Sequence, residues 1–139
     1  LVPAAPATTT GKFLDATGAW AVPGGDAALT GTATTTDATV TTCGSYTVPD
    51  LSTATVRAVI SAHRSNHAQA AGYDLVGVFR RSGATVTQVG ATTVLAAIED
   101  DAAWAAVFDV SGTSVRVRVT GAAAITVGWV TRGVSVLAT

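Results

Sequence analysis

Short runs rich in valine and threonine, separated about every ten residues by glycine, serine and other turn residues, fill all but the first part of the chain. In the clearest run, Val115, Val117 and Val119 alternate with Arg116 and Arg118. Such alternation puts the valines on one face of a β-strand. Because many short strands at this spacing are typical of sandwiches and barrels, we predict an all-β fold, an antiparallel β-sandwich of jelly-roll-like type.

Other segments follow the same pattern less strictly. In the strand predicted at 55–64, Val56 and Ile60 share one face, and Arg57 and His63 share the other. The further predicted strands cover residues 30–36, 39–43, 73–81, 84–90, 125–130 and 134–137. The dipeptide Ser82-Gly83 suits a hairpin turn, and Arg132-Gly133 predicts a break before the last strand.

Residues 94–108 are ambiguous between helix and strand. Their alanine content and a stripe of apolar residues at helical spacing favour a helix. However, Trp104, Ala106 and Phe108 also alternate, as residues of a half-buried strand do. We therefore predict two strands that flank an acidic turn at 99–101.

The first 25 residues differ from the rest of the chain. They hold three of the four prolines and show no sustained periodicity, which predicts an extended N-terminal arm over 1–25, ordered by a neighbouring subunit. Residues 26–139 then form one β-sandwich domain, which is enough chain for a single core. The interface candidates are Pro3, Pro6, Phe13, Trp20 and Val22 in the arm, with His63, His67 and Tyr73 in the sandwich.

The charge of the chain argues against two classes of partner. Eight basic and nine acidic residues give a net charge of -1, and only 12% of residues are charged. Bulk electrostatics therefore does not attract nucleic acid or an anionic membrane surface. No apolar run approaches the roughly 20 residues that span a bilayer. We expect neither nucleic acid nor a membrane among the partners.

No pattern in the chain predicts catalysis, a metal site or a cofactor. Cys43 is the only cysteine and is predicted to be buried, and the serine-nucleophile pattern GxSxG does not occur. His63 and His67 stand four apart, but they end a predicted strand without a third ligand nearby, so we predict that they face water or a subunit boundary. The acidic residues 99–101 predict a solvated turn more than a calcium site. We therefore predict that the protein is not an enzyme.

The aromatic and basic side chains are predicted to have structural roles. Trp104 and Trp129 fall on the apolar side of alternating strands, which predicts core packing. Trp20 lies in the arm, where a large ring has no local core, so it is predicted to anchor in a neighbouring subunit. Cross-strand ion pairs with aspartates are predicted for Arg80, Arg81, Arg116 and Arg118.

The C-terminal half resembles a module of virion proteins of tailed bacteriophages, in particular one at the ends of tail proteins. The resemblance rests on YDLVGVFRRSGATVTQVG at 73–90, EDDAAW at 99–104, VRVRVTG at 115–121, TVGW at 126–129 and the closing valine-rich strand. It implies a β-sandwich, often trimeric, that decorates a capsid, caps a fibre or spike, or contacts the host surface. Fold analogy of this kind supports membership of the virion more than one position in it.

The length of the chain and its predicted arm favour one of these positions in the virion. Tail fibres are long chains, whereas 139 residues with an arm suit a capsid decoration or cement protein that binds the shell and self-associates, most simply as a trimer. Its expected partners are the major capsid protein or other virion subunits, in a virion assembled in the host cytoplasm. The alternative is the receptor-binding tip of a tail fibre or spike, with a surface glycan as its ligand.

Overall fold

A computed structural model describes residues 28–139 and two short backbone pairs, Phe13–Leu14 (β1) and Trp20–Ala21 (β2), which run antiparallel to each other. The remaining strands are β3 (Ala28–Thr35), β4 (Thr41–Thr47), β5 (Ser52–Arg64), β6 (Ala70–Arg81), β7 (Val86–Glu99), β8 (Ala105–Ser111), β9 (Ser114–Thr120) and β10 (Val127–Ala138). Apart from these two pairs, the predicted arm at 1–25 lies outside the described residues, including Pro3, Pro6 and Val22 and the side chains of Phe13 and Trp20. The arm therefore stays a prediction.

Strands β3–β10 form two antiparallel sheets. The large sheet has the order β3-β10-β5-β6-β7, and the small sheet has the order β4-β9-β8. The two sheets enclose a shared apolar core, which confirms the predicted all-β antiparallel sandwich. The jelly-roll character of the strand order is not confirmed, because β5, β6 and β7 are successive neighbours in one sheet. No helix of the described residues is long and apolar enough to cross a membrane.

The core follows the predicted alternation. Val115, Val117 and Val119 of β9 are fully buried and point at the large sheet, where Val56 and Ile60 of β5 face them from the other side of the core. Trp104 and Trp129 are buried as predicted, and Cys43 is also buried. Period-two patterning therefore predicted the inward face of both central strands.

The ambiguous segment 94–108 is extended, as predicted. Strand β7 ends at Glu99, β8 begins at Ala105, and the residues between them form the connection. Ala97 pairs with Tyr73 of β6, and Phe108 pairs with Val117 of β9. Pairing with two neighbouring strands outweighs the local helix propensity of alanine, which is worth only a fraction of a kcal/mol per residue, about 0.5.

The predicted break at Arg132-Gly133 is wrong, because β10 runs without interruption from Val127 to Ala138. Gly133 pairs with Ala58, and a Cβ at this position would lie 2.5 Å from the carbonyl oxygen of Arg57. Glycine here permits a close approach of two neighbouring strands, so it marks packing and not a turn.

The two lateral sides of the sandwich differ. On one side, the edge strands β3 and β4 touch: a Cβ on Gly31 would collide with the carbonyl oxygen of Cys43 and lie 2.6 Å from the Cα of Gly44. Two glycines therefore bring the sheets together and close that side. On the opposite side, edge strands β7 and β8 carry no such pair of glycines, and their apolar side chains are exposed.

Candidate functional site

The outer face of the large sheet carries four exposed valines, which we call the valine face: Val59, Val130, Val134 and Val136. They lie on the neighbouring strands β5 and β10 and are between 39% and 62% exposed. A shallow depression of about 260 Å³ opens at Gly133 between two of them, Val59 and Val134, and is bordered by Arg57 and Arg132. Exposed apolar side chains gathered on a sheet face, and not scattered singly, are typical of a contact surface.

Of the two arginines next to the valine face, Arg57 is paired with a carboxylate and Arg132 bonds a backbone carbonyl. The Arg57 guanidinium donates two hydrogen bonds to Asp74, of 3.0 Å from Nε and 2.6 Å from Nη2. The side chain of Arg132 donates to the carbonyl oxygen of Thr131 at 2.8 Å. A bidentate ion pair at an exposed position contributes little to stability, but it leaves the surface without net charge at that point.

The edge strands β7 and β8, on the open side of the sandwich, carry a second set of exposed apolar residues, which we call the open rim; these residues point to different faces of the two strands. The open rim consists of Val89, Val94, Leu95 and Ile98 on β7, with Val107 and Val110 on β8. Ile98 is 75% exposed, the largest value of the six. These six make up half of the exposed large apolar side chains among the described residues.

The open rim is nearly free of charge along its length. Strand β7 has no charged residue before Glu99. On β8 the charged residue is Asp109, whose carboxylate accepts hydrogen bonds of 2.8 and 2.7 Å from Arg116 and lies 3.6 Å from Arg118. This pairing confirms the cross-strand interpretation for Arg116 and Arg118, whereas Arg80 and Arg81 form no ion pair among the described residues.

The two ends of β7 carry opposite charges. At its end, Glu99 is followed by Asp100 and Asp101. At its beginning, β7 pairs with the last residues of β6, Arg80 and Arg81. Strand β7 therefore forms an uncharged strip with an acidic end and a basic end.

Tyr73, an interface candidate, lies in the core. Its side chain is 4% exposed and its ring stacks beside Trp129 at a centroid distance of 6.3 Å. Its hydroxyl reaches outward and donates a 2.6 Å hydrogen bond to Glu99. Burial first, and then the hydrogen bond to the Glu99 carboxylate, raise the pKa of Tyr73 well above its ordinary value. The position of the ring argues against an interface role for Tyr73.

The burial of Tyr73 predicts that the folded chain loses stability at alkaline pH. Its folded pKa is raised, so its contribution is fully present below the ordinary tyrosine pKa of about 10 and is lost as the pH rises further. Burial also raises the pKa of the Cys43 thiol, which adds an effect of the same sign starting near pH 9. Urea unfolding between about pH 8 and 11 measures the slope, and Tyr73→Phe is expected to reduce it. An identical slope in both proteins would contradict this account.

His63 and His67 are close together, as their position at the end of β5 allows. Their rings stack in parallel at a centroid distance of 4.8 Å, and the His63 ring covers Gly128 of β10. His67 has a φ of 57°, in the left-handed region, where the β5–β6 connection turns. Both side chains are exposed, so they remain candidates for an interface. No group of three metal-ligating side chains is found in the described part of the chain.

Every tyrosine, phenylalanine and tryptophan ring between residues 29 and 139 is buried. None of them exceeds 6% exposure, and they are Tyr46, Tyr73, Phe79, Trp104, Phe108 and Trp129. Phe79 and Phe108 meet edge to face at 5.6 Å, and Trp104 lies 5.9 Å from Trp129. The aromatic residues therefore fill the space between the sheets.

The open rim was not predicted from the sequence. Self-association was predicted from the sequence without this surface, and Val76 and Val78 of β6 are half-buried between neighbouring strands. The exposed apolar residues lie one strand further along, on β7. The signal in the sequence was the absence of charge from Ser82 to Ile98, the residues that lead into and form most of this edge strand.

Comparison with known proteins adds little. No known protein family matches the chain, and no curated protein matches it. Among solved structures, the tailspike protein of Acinetobacter baumannii phage AM24 is similar at a TM-score of 0.41 and 9% sequence identity. The match covers 77% of this chain and spans only 26% of the tailspike. A TM-score this low does not show a shared fold, so the function of the chain has to be argued from its own surfaces.

Proposed function

We propose that this chain is a structural subunit of a tailed-phage virion, and within it a capsid decoration or cement protein. In this proposal residues 1–25 bind the shell, the major capsid protein or another virion subunit is the partner, and copies of the chain associate with each other, for which the sequence resemblance implies a trimer. The chain is not an enzyme and binds neither nucleic acid nor a membrane. Its location is the virion, after assembly in the host cytoplasm.

The observation that carries the proposal is the valine face. Four exposed valines gather on two neighbouring strands, interleaved with polar residues such as Arg57 and Arg132, whereas a sheet face in water normally carries mostly polar residues. Covering apolar surface contributes roughly 25 cal/mol per Å², so a broad partner surface is favoured over a small ligand. A large, ordered protein lattice such as a capsid shell offers such a surface.

The alternative, a glycan-binding tip of a fibre or spike, has less support. Aromatic side chains that stack on sugar rings need an exposed face. The six described tyrosine, phenylalanine and tryptophan rings are at most 6% exposed. No observation on the described residues therefore favours the alternative. The experiments include a result that would favour it.

Binding to particles tests the proposed function. Phage particles that lack the chain are mixed with the purified chain and sedimented, and bound chain is quantified. Deleting residues 1–25 is expected to abolish binding, and Val134→Lys is expected to weaken it at least about tenfold, because a charge would be buried on the valine face. Ala123→Lys, a change at an exposed position of the β9–β10 connection, is the matched control and should bind normally.

Two results would overturn the proposed function. Binding that is unchanged by the deletion of 1–25 would exclude the arm as the shell contact. Specific binding of the intact chain to a purified cell-surface glycan, with no binding to particles, would favour the tip. Circular dichroism of each variant shows that the sandwich remains folded.

A further inference from the structure

We propose that His63 and His67 make docking on the valine face sensitive to pH, so that the contact holds near neutral pH and is released in acid. This deepens the proposed function and rests on it, because it assigns a regulation to the surface that binds the virion partner. The chain has only these two histidines. Imidazole is the side chain whose charge ordinarily changes between about pH 5 and 8.

The β5–β6 connection holds the two imidazole rings against each other. The rings are parallel to within 2°, and their centroids are 4.8 Å apart. The backbone N–H of His67 donates a 2.7 Å hydrogen bond to the carbonyl oxygen of Arg64, and that of Ala68 donates at 3.0 Å to the side-chain oxygen of Asn66. In this turn His67 has a φ of 57°, which is uncommon for a residue that carries a side chain. The stack is therefore built by a specific turn of the backbone.

The stacked arrangement does not suit two protonated rings. Two imidazolium groups at this separation repel each other, because like charges within about 6 Å disfavour each other. Both side chains are exposed, so rotation of the His67 side chain into water relieves the repulsion without a change in the sheet. Acid is therefore expected to separate the rings.

No carboxylate near the pair compensates its charge. At this end of the sandwich the side chains of Asp37, Glu99, Asp100 and Asp101 each accept a hydrogen bond from another group of the chain. Asp100 accepts its bond, of 2.9 Å, from the backbone N–H of Ala70, the strand partner of His63. None of these carboxylates forms an ion pair with a histidine among the described residues. Protonation therefore adds positive charge that stays uncompensated.

His63 lies at the end of the valine face. It points outward from β5 like Val59, and its ring covers Gly128 of β10, two residues before the outward-pointing Val130. His63 pairs directly with Gly128, so Val130 is its diagonal neighbour. Diagonal neighbours on one face of antiparallel strands lie about 7–8 Å apart. A partner that covers Val130 therefore also removes water from His63.

The arginines around the pair add to the effect of acid. Arg64 on the turn donates a 3.2 Å hydrogen bond to the neutral side chain of Gln69, and Arg132 on the valine face donates to a backbone carbonyl. Arg57 is the one of the three that pairs with a carboxylate, that of Asp74. Further positive charge at this surface is costly to cover with an apolar partner, because an unpaired charge loses its water. Docking is therefore expected to weaken as the pH falls from about 8 to 5.

Nuclear magnetic resonance tests the pair on the purified full chain. The ring protons of the two histidines are assigned by comparison with His63→Gln and His67→Gln. A nuclear Overhauser effect between the rings is expected at pH 8 and is expected to vanish at pH 5, while the backbone signals of the sheets stay in place. A contact between the rings at both pH values, or at neither, would contradict the proposal.

Particle binding at the two pH values tests the role of the pair. The dissociation constant of the unmodified chain is expected to be at least about tenfold higher at pH 5 than at pH 8. The double variant His63→Gln/His67→Gln cannot be charged there and is expected to bind equally at both pH values, whereas His63→Lys is expected to bind weakly at both. Ser111→Lys places the same charge on the exposed end of β8 in the small sheet and should behave like the unmodified chain.

The outcomes separate this proposal from the proposed function. Binding that is lost at pH 5 in the unmodified chain and kept in the double variant supports the proposal. Equal binding of the unmodified chain at both pH values, or the same loss in the double variant, would overturn the proposal and leave the proposed function standing. Absence of binding at both pH values would overturn the proposed function, and the docking role of the pair with it.

Discussion

Trp129→Ala is expected to lower the free energy of unfolding by about 3–5 kcal/mol, because it removes the largest side chain of β10 from the core. Trp129 is 1% exposed, packs against Trp104 and Tyr73, and donates a 2.9 Å hydrogen bond from its indole nitrogen to the hydroxyl of Thr35. The variant leaves a cavity and also leaves the buried Thr35 hydroxyl without this donor. Urea unfolding at neutral pH measures the loss.

A loss of this size is a large part of the total stability of a small domain, about 5–15 kcal/mol. The control is Val130→Ala on the same strand, whose side chain points outward and is 39% exposed. It is expected to change stability by less than about 1 kcal/mol. If Trp129→Ala lowered the free energy of unfolding as little as this control, the tryptophans would not be packed between the sheets.

Gly31→Ala is expected to destabilise the chain by about 1–3 kcal/mol, because the new methyl group has no room. Its position would collide with the carbonyl oxygen of Cys43 and lie 2.6 Å from the Cα of Gly44. Both obstacles are backbone atoms of β4, so the methyl group fits only if the two edge strands move apart. Thermal and urea unfolding measure the effect.

Gly72→Ala is the matched control for this substitution. Gly72 also lies inside a strand of the large sheet, but a methyl group added there would have its nearest neighbouring atom 4.0 Å away, an ordinary contact. Alanine restricts the unfolded chain more than glycine does, so this variant is expected to be neutral or up to about 1 kcal/mol more stable. Equal effects of the two substitutions would show that β3 and β4 do not close the sandwich.

The sequence predicted strands best where polar and apolar residues alternate strictly. The alternation at Val115–Val119 predicted β9 and its buried face, and the alternation around Trp104 and Phe108 correctly outweighed helix propensity. Strand continuity at Arg132-Gly133 was not predictable in this way, because glycine is typical both of turns and of close backbone approach. Only the position of Gly133 beside Arg57 distinguishes the two.

The surfaces were less predictable than the core. The sequence of β7 predicts a strand but not its exposure, which arises because β7 is an edge strand and the small sheet has only three strands. Tyr73 was predicted at an interface and lies in the core, since β6 is an inner strand of the large sheet. The loop histidines His63 and His67 are exposed as predicted, because they lie at the end of β5.

The location of the chain in an intact particle decides whether it is a capsid decoration protein. Cryo-electron microscopy of phage particles that carry the chain is expected to show density for the sandwich on the outer surface of the capsid shell, with the valine face against a neighbouring subunit. Density at the tip of the tail, or the absence of the chain from purified particles, would contradict its assignment as a capsid decoration protein.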